Sequence, residues 1–447
     1  MRKHVLIVLA IILVLAGGAF WYLSRPDEAR LPVEAVMGPR PEITPPRRQW
    51  LPTIGIAKAV GWSAGEKPAA APGLQVAAFA SGLDHPRWMY RLPNGDVLVA
   101  ESNSPPREGG GITGWVMKKL MGRAGAGTPS ANRITLLRDG DGDGVAETRS
   151  AFMTGLNSPF GMALVGDWLY VANTDALVRV KYAEGATRID AKPEVVVTYP
   201  GGGNHWTRGL VAAPGGRTLY VSVGSASNIG ENGMDVERNR AGILEVFPDT
   251  KYKRLFAAGL RNPVGLAIEP QSNRLWTVVN ERDMLGSDLP PDYMTAVDLG
   301  DNFGWPWYYW GGWPDARVEP RNPGLQEYSK RPDYALGAHT ASLGLTFAAD
   351  AKLGARFANG AFVGQHGSWN RKPAAGYKVL YVPFAANGFP DAQAKPIDVL
   401  TGFLDGEGQA KGRPVGVITD KAGALLVADD VGNVIWRVSA RAAGDQR

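Results

Sequence analysis

One short pattern recurs six times in this chain and constrains its fold more than any other feature. The unit is G-L-x-x-P-x-G, then an apolar stretch, a Gly or Asn turn and a short L-x-V-type strand. It opens at Gly82-Leu83 and closes at Val97-Leu98-Val99, opens again at Gly155-Leu156 and closes at Leu169-Tyr170-Val171. A third copy runs from Trp206 through Gly209-Leu210 to Leu219-Tyr220-Val221, and a fourth from Gly259-Leu260 to Leu275-Trp276-Thr277-Val278. The fifth is degenerate, from Leu343 to Val363, and the sixth runs from Gly412-Arg413 to Leu425-Leu426-Val427. Between copies lie further strand candidates: Ile134 to Leu137, Leu177 to Lys181, Ile243 to Phe247, Lys378 to Val382 and Val434 to Val438. Short alternating strands separated by turn residues predict an all-β body, and repeats of this length match four-stranded blades. The expectation is a six-bladed β-propeller over residues 73–440. A β-sandwich also has many short strands, but it does not repeat one motif six times.

A length of 447 residues would alone suggest roughly three domains. Circular repetition replaces them with one body, and assigns many of the 57 glycines to turns and channel loops. The chain has no Cys, which removes disulfides, thiolate metal sites, iron–sulfur clusters, attached haem and cysteine nucleophiles. Redox chemistry would therefore need a non-covalent cofactor. The net charge of +5 comes from 48 basic against 43 acidic residues with no basic stripe, so no nucleic-acid partner is expected.

At the amino end, Met1-Arg2-Lys3-His4 precedes an uncharged run from Val5 to Leu23, close to the roughly 20 residues that cross a bilayer. The run reads as an export signal; the basic start and the lack of an A-x-A site favour an uncleaved membrane anchor over residues 1–23 above a removed signal peptide, and either predicts a periplasmic, extracytoplasmic body. Residues 24–72 are Pro-rich and read as a tether. Trp115 to Met121, within an insertion from Asn103 to Asn132, is a short basic amphipathic stretch that either touches a membrane or partner or covers a blade edge.

The loops that open each repeat should meet at one end of the central channel. His205 lies in such a loop, among Gly201-Gly202-Gly203, and an imidazole there suits a general base. Arg261-Asn262 opens the fourth copy, Arg413 the sixth, and Arg371 follows the fifth within His366-Gly367-Ser368-Trp369-Asn370-Arg371. Three arginines converging on one channel favour a polyanionic ligand, and Trp369 offers a flat face to an aromatic one. Asn280-Glu281-Arg282-Asp283, followed by Asp288, Asp292 and Tyr293, reads either as a hard-cation site or as a charged loop. Asp139-Gly140-Asp141-Gly142-Asp143-Gly144 is similar to the front of an EF-hand loop, but Ser150 stands where the bidentate Glu belongs; Glu147 is the available replacement.

Together N-H-W-T-R-G-L at 204–210, G-L-R-N-P-V-G-L-A at 259–267, N-E-R-D at 280–283, D-N-F-G-W-P at 301–306, G-A-H-T-A-S-L-G-L at 337–345, G-Q-H-G-S-W-N-R at 364–371 and G-R-P-V-G-V at 412–417 resemble the sorbosone dehydrogenase family. That family is similar to soluble quinoprotein glucose dehydrogenase and aldose sugar dehydrogenase. The resemblance, over roughly Leu74 to Val438, implies a propeller holding pyrroloquinoline quinone (PQQ) and Ca²⁺. It implies that His205 is the base taking the proton of a sugar, sugar aldehyde or related alcohol while hydride passes to the quinone. Arg261 and Asn262 would contact the quinone, Arg413 a cofactor carboxylate, and Glu281 with Tyr293 a structural Ca²⁺. Ser225 stands where the glucose enzymes have an Asp, so His205 is expected to lack an orienting carboxylate. Arg371 or Lys372 would have to replace the family's cofactor lysine, and electrons would leave to an external quinone or cytochrome. Two other readings compete: a Ca²⁺-dependent, lactonase-like propeller hydrolase, and a non-catalytic binding propeller.

Overall fold

The computed structural model describes residues 2–23, 25–47, 53–106, 119 and 121–441. Six sheets of antiparallel strands form a closed ring, and each begins with one copy of the repeat. Blade 1 comprises Pro86–Arg91, Val97–Glu101, Arg133–Arg138 and Thr148–Met153, and blade 2 Met162–Val165, Trp168–Ala172, Ala176–Lys181 and Glu194–Thr198. Blade 3 comprises Leu210–Ala212, Leu219–Val223, Gly242–Phe247 and Tyr252–Ala257. Blade 4 runs through Pro263–Ile268, Leu275–Val279, Pro291–Val297 and Tyr334–Ala338, and blade 5 through Ser342–Phe347, Gly360–Gln365, Lys378–Pro383 and Ile397–Thr401. Blade 6 is made of Pro414–Thr419, Leu425–Asp429 and Val434–Ala440, and its outer strand is Leu74–Ser81, from the start of the body. The two ends of the repeat array thus pair in one sheet and close the ring.

The repeat's second glycine has a steric reason. A Cβ at Gly265 would lie 2.8 Å from the Leu343 carbonyl oxygen, and one at Gly416 would lie 2.9 Å from that of Arg87. Gly161, Gly209 and Gly344 likewise abut the innermost strand of the next blade, so glycine is what lets neighbouring inner strands touch. Blade 1 departs from the pattern. Trp88 holds that position and packs on Phe160 of blade 2 with ring centroids 4.8 Å apart. Between blades the core is apolar, as where Trp276 of blade 4 meets Phe347 and Phe384 of blade 5.

The segment expected to act as a tether is bound along the body. Met37–Gly38 adds a fifth strand to blade 4 and Ala69–Ala70 a fifth strand to blade 5. Between them, Trp62 donates from its indole nitrogen to Asp429 at 2.7 Å and packs edge-on against Phe403 and Trp436. The N-terminal helix spans Arg2–Leu23, and its large side chains from Ile7 to Trp21 are exposed. Among the described residues no helix is long and apolar enough to cross a membrane. The amphipathic stretch at 115–121 lies almost wholly outside the described residues.

Candidate active site

The register of the sheets decides where the candidates sit. In blades 1, 4, 5 and 6 the start of the innermost strand pairs with the end of the second strand, as in Pro86 with Glu101, Pro263 with Val279, Ser342 with Gln365 and Pro414 with Asp429. Residues flanking those points, from every blade, therefore emerge at the same mouth.

His205, half-buried, precedes the inner strand of blade 3. Its Nδ1 lies 2.8 Å from the Ser225 carbonyl oxygen and 3.1 Å from Ser225 Oγ. A carbonyl only accepts, so Nδ1 carries the proton and Nε2 keeps the lone pair a base needs. The backbone of Ser225 thus orients the ring without an Asp side chain. The Glu237 carboxylate braces this turn, accepting from Ala226 N at 2.7 Å and Ser227 Oγ at 2.5 Å. Arg208, fully buried, holds the loop from below by donating to the carbonyls of His205, Thr207 and Pro200 at 2.8–2.9 Å. Burial pushes its guanidinium down to about 10. Beside His205, Asn262 Oδ1 is buried with no hydrogen-bond partner, and a Cβ at Gly224 would collide with it and lie 2.6 Å from His205 Cβ.

Arg261 is spent on the protein. Its Nε donates to the Asn228 carbonyl, Nη1 to those of Asn280 and Glu281, and Nη2 to Asn228 Oδ1 and Asp283 Oδ2. All five guanidinium donors are engaged, so Arg261 clips blade 3 to blade 4.

Across the mouth, blades 1, 5 and 6 surround Asp430. Arg87 Nη1 bonds Asp430 Oδ2, His366 Nε2 lies 2.9 and 3.1 Å from its two oxygens, and His85 Nε2 lies 3.5 Å away. Burial alone would raise Asp430, but His366, His85 and Arg87 outweigh it and hold the carboxyl far below its usual range. Burial pushes His366 down to about 4 despite Asp430. The Arg87 guanidinium carbon sits 5.6 Å from the Trp206 ring centroid, linking this cluster to the His205 loop. Arg413 faces the Tyr377 ring at 5.0 Å, and the Nε atoms of Arg87 and Arg413 are buried without partners.

The expected convergence of Arg261, Arg371 and Arg413 is not what the fold builds. Arg371 turns to the Ser287 carbonyl and Asp288, the latter at 3.6 Å, and Lys372 pairs with Glu28 at 2.7 Å. Lys372 thereby holds the N-terminal segment, as does the backbone carbonyl of half-buried Trp369, which accepts from Gly55 N at 2.8 Å. Arg87 takes the remaining place beside Arg413. It sits inside the first repeat, but no local spacing marks an inner-strand Arg as facing a partner in blade 6.

At the proposed cation position, the Glu281 carboxylate accepts from Arg282 Nε at 3.0 Å, and Asp315 lies 3.6 Å from Arg282 Nη1. The buried Arg282 guanidinium already supplies the positive charge beside Glu281, so this carboxylate does not fit a Ca²⁺ ion. Among the described residues, the group whose carboxylate oxygens come within 4.8 Å of one another is Asp139, Asp141, Asp143 and Glu147, in the outer hairpin of blade 1.

The closed ring of six blades defines the class, a six-bladed β-propeller, and its mouth gathers the His205 imidazole, an amide oxygen without a partner and two buried guanidinium groups whose Nε atoms have none. The chain belongs to the TrAA12-like family, which matches residues 68–297 and 322–441. It is 29% identical over 302 residues to an uncharacterized protein of Borreliella burgdorferi, covering 63% of this chain and 76% of that one. It is 26% identical to the pyrroloquinoline quinone-dependent pyranose dehydrogenase of Coprinopsis cinerea over 82% of this chain, and spans 54% of that protein's length. The holo PQQ domain of that enzyme superposes with a TM-score of 0.66 at 22% identity, covering 83% of this chain and 97% of the domain. The family AA12 enzyme of Trichoderma reesei superposes at 0.68 with 20% identity, covering 84% and 98%.

Proposed function

We propose that this protein is a PQQ-dependent oxidoreductase acting on a sugar, a sugar aldehyde such as sorbosone, or a related alcohol. The observation that carries the reading is His205 held with Nε2 as acceptor beside the orphaned Asn262 Oδ1. The residues fit PQQ, a planar quinone with three carboxylates and a pyrrole N–H: the buried Arg413 Nε would donate to a carboxylate, and Asn262 Oδ1 is an acceptor suited to the N–H. When bound, PQQ supplies a two-electron acceptor. His205 Nε2 takes the substrate hydroxyl proton as the C–H hydrogen leaves with its electron pair, and the Ser225 carbonyl stabilises the imidazolium through Nδ1–H. Arg208 keeps the base in place, and the electrons then pass to an external quinone or cytochrome. Reconstitution with PQQ and a dye acceptor tests this. Dye reduction on a panel of aldoses, aldehydes and alcohols is expected, and His205→Ala should lose about 10²–10⁴-fold in turnover while still binding PQQ. No turnover and no PQQ binding by the wild type would sink the reading.

A calcium ion is a second proposed cofactor, with the Asp139 hairpin as its best donor set; calcium titration of Asp141→Asn against the wild type tests it. The hydrolase reading has less support, since Asp430 is committed to Arg87 and imidazoles, and Asp283 to Arg261 and His339. We further propose that the exposed apolar helix Arg2–Leu23 anchors a periplasmic, extracytoplasmic body. Recovery of the full chain in the soluble fraction of lysed cells would refute that.

A further inference from the structure

The residues that follow the apolar helix are clamped to one end of the ring. Asp27 stands four residues beyond Leu23, the last residue of that helix. Its N–H donates to Thr53 Oγ1 at 2.8 Å, its Oδ2 accepts from Ser287 N at 2.6 Å, and its carbonyl accepts from Ser287 Oγ at 3.0 Å. Ala29 N reaches the Lys372 carbonyl at 2.7 Å and Arg30 N reaches Asp288 Oδ2 at 2.9 Å. Arg47 bridges Asp27 at 3.0 Å and Asp288 at 2.6 Å. Ser287 and Asp288 are each 1% exposed, so the clamp is a buried one, unlike an exposed ion pair that water weakens. Its attachment points belong to the mouth. Ser287 and Asp288 lie in the loop between Leu275–Val279 and Pro291–Val297 of blade 4, and Lys372 in the loop between Gly360–Gln365 and Lys378–Pro383 of blade 5. Both loops leave their sheets at the mouth end.

A chain advances at most about 3.6 Å per residue, so the end of the helix lies within roughly 14 Å of Asp27 and hence of the mouth rim. The strands of blade 4 place the opposite end of the ring roughly 20 Å further away. The helix end itself has the character of a bilayer surface: Phe20-Trp21-Tyr22 is an aromatic run, and the Arg25 guanidinium carbon sits 3.6 Å from the Trp21 ring centroid. Large apolar side chains are exposed on the same rim. Ile54 stands between Thr53 and Gly55, which bond Asn370 and Trp369, and Met284 lies in the blade 4 loop. Met234 and Val236 lie in the loop between Leu219–Val223 and Gly242–Phe247 of blade 3, also at the mouth end. Such side chains are stabilised by leaving water for the interfacial zone of a bilayer. We propose that the clamp fixes the orientation of the body on the membrane, with the mouth rim of blades 3, 4 and 5 resting on the extracytoplasmic leaflet and the opposite end of the ring facing away. This rests on the reading of Arg2–Leu23 as a membrane anchor.

Because the chain has no Cys, a single introduced thiol labels one position. Full-length Met284→Cys, Met234→Cys and Leu299→Cys each carry a bimane fluorophore and are reconstituted in phosphatidylcholine–phosphatidylglycerol vesicles, with and without nitroxide-headgroup lipid. Leu299, an exposed residue, follows Pro291–Val297 at the end of blade 4 away from the mouth. The two mouth probes are expected to be quenched at least about twofold more than the Leu299 probe, since quenching is short-ranged and the two ends of a blade lie roughly 20 Å apart. Inserting a flexible Gly/Ser stretch of about twelve residues between Arg25 and Pro26 should erase that difference while the protein still floats with the vesicles. If the full-length protein does not float with the vesicles, the anchor reading fails and the orientation falls with it. Vesicle-bound protein whose three probes are quenched alike, or whose difference survives the insertion, overturns the clamp's role alone and leaves the anchor standing. Should Met284→Cys fail to fold, Ile54→Cys takes its place on the rim with the same expected quenching.

Discussion

His366 illustrates how a residue's chemistry is set by what buries it. In the sequence it is one letter in G-Q-H-G-S-W-N-R; in the fold its imidazole shares Asp430 with His85 and Arg87. Burial lowers its pKa from 6.5 to about 4. The unfolded chain therefore takes up a proton at His366 between about pH 6.5 and 4 while the folded chain does not, so this residue's contribution falls as pH drops through that window. Asp292 and Asp429, pushed up to about 6 by burial, act in the opposite sense, which makes a variant comparison necessary. The difference in melting temperature between wild type and His366→Gln is expected to shrink from pH 7 to pH 4. A difference that stays constant would mean the imidazole is not held neutral. His205 was legible because glycines surround it, but its orienting partner was not, since the Ser225 carbonyl belongs to every residue type alike. The partners of Arg371 were illegible in a related way: the Ser287 carbonyl that its Nη1 meets lies 84 residues away in sequence.

At the scale of elements, composition is a poor guide to whether a Pro-rich segment is free. The Pro-rich segment, described over residues 25–47 and 53–72, extends two sheets and places Trp62 over the edge of blade 6. The segment also supplies the Ala57 carbonyl to Arg413 and the Thr53 carbonyl to Asn370. It is thus part of the rim of the mouth. Trp62→Ala removes one of the donors to buried Asp429 and two aromatic contacts, and is expected to cost about 3 kcal/mol in chemical denaturation. A change below about 0.5 kcal/mol, the range of ordinary surface substitutions, would mean that the segment is not docked in solution.

For the whole molecule, closure is the decisive contact. Leu74–Ser81 pairs along Val434–Ala440 in one antiparallel ladder, joining the beginning of the body to its end. Deleting residues 1–23 should leave a cooperative thermal transition, whereas deleting residues 1–82 removes the closing strand and exposes the edge of blade 6. The longer deletion is expected to abolish that transition in calorimetry; a retained sharp transition would show that the ring does not depend on this strand.

The repeat determined the architecture by itself, because its spacing and its second glycine are local demands. A strand must turn where Gly or Asn allows, and inner strands can touch only where no Cβ intervenes. The general position of His205 and Asn262 followed from the same repeat. Tertiary structure alone decided which charges meet. Arg87 and Asp430 lie 343 residues apart in sequence, and only the closing of the ring makes them neighbours. Hydrogen bonds and desolvation act over a few ångströms of space, so the pairing that fixes Arg87, spends Arg261 and turns Arg371 away is set by where the ring places each partner.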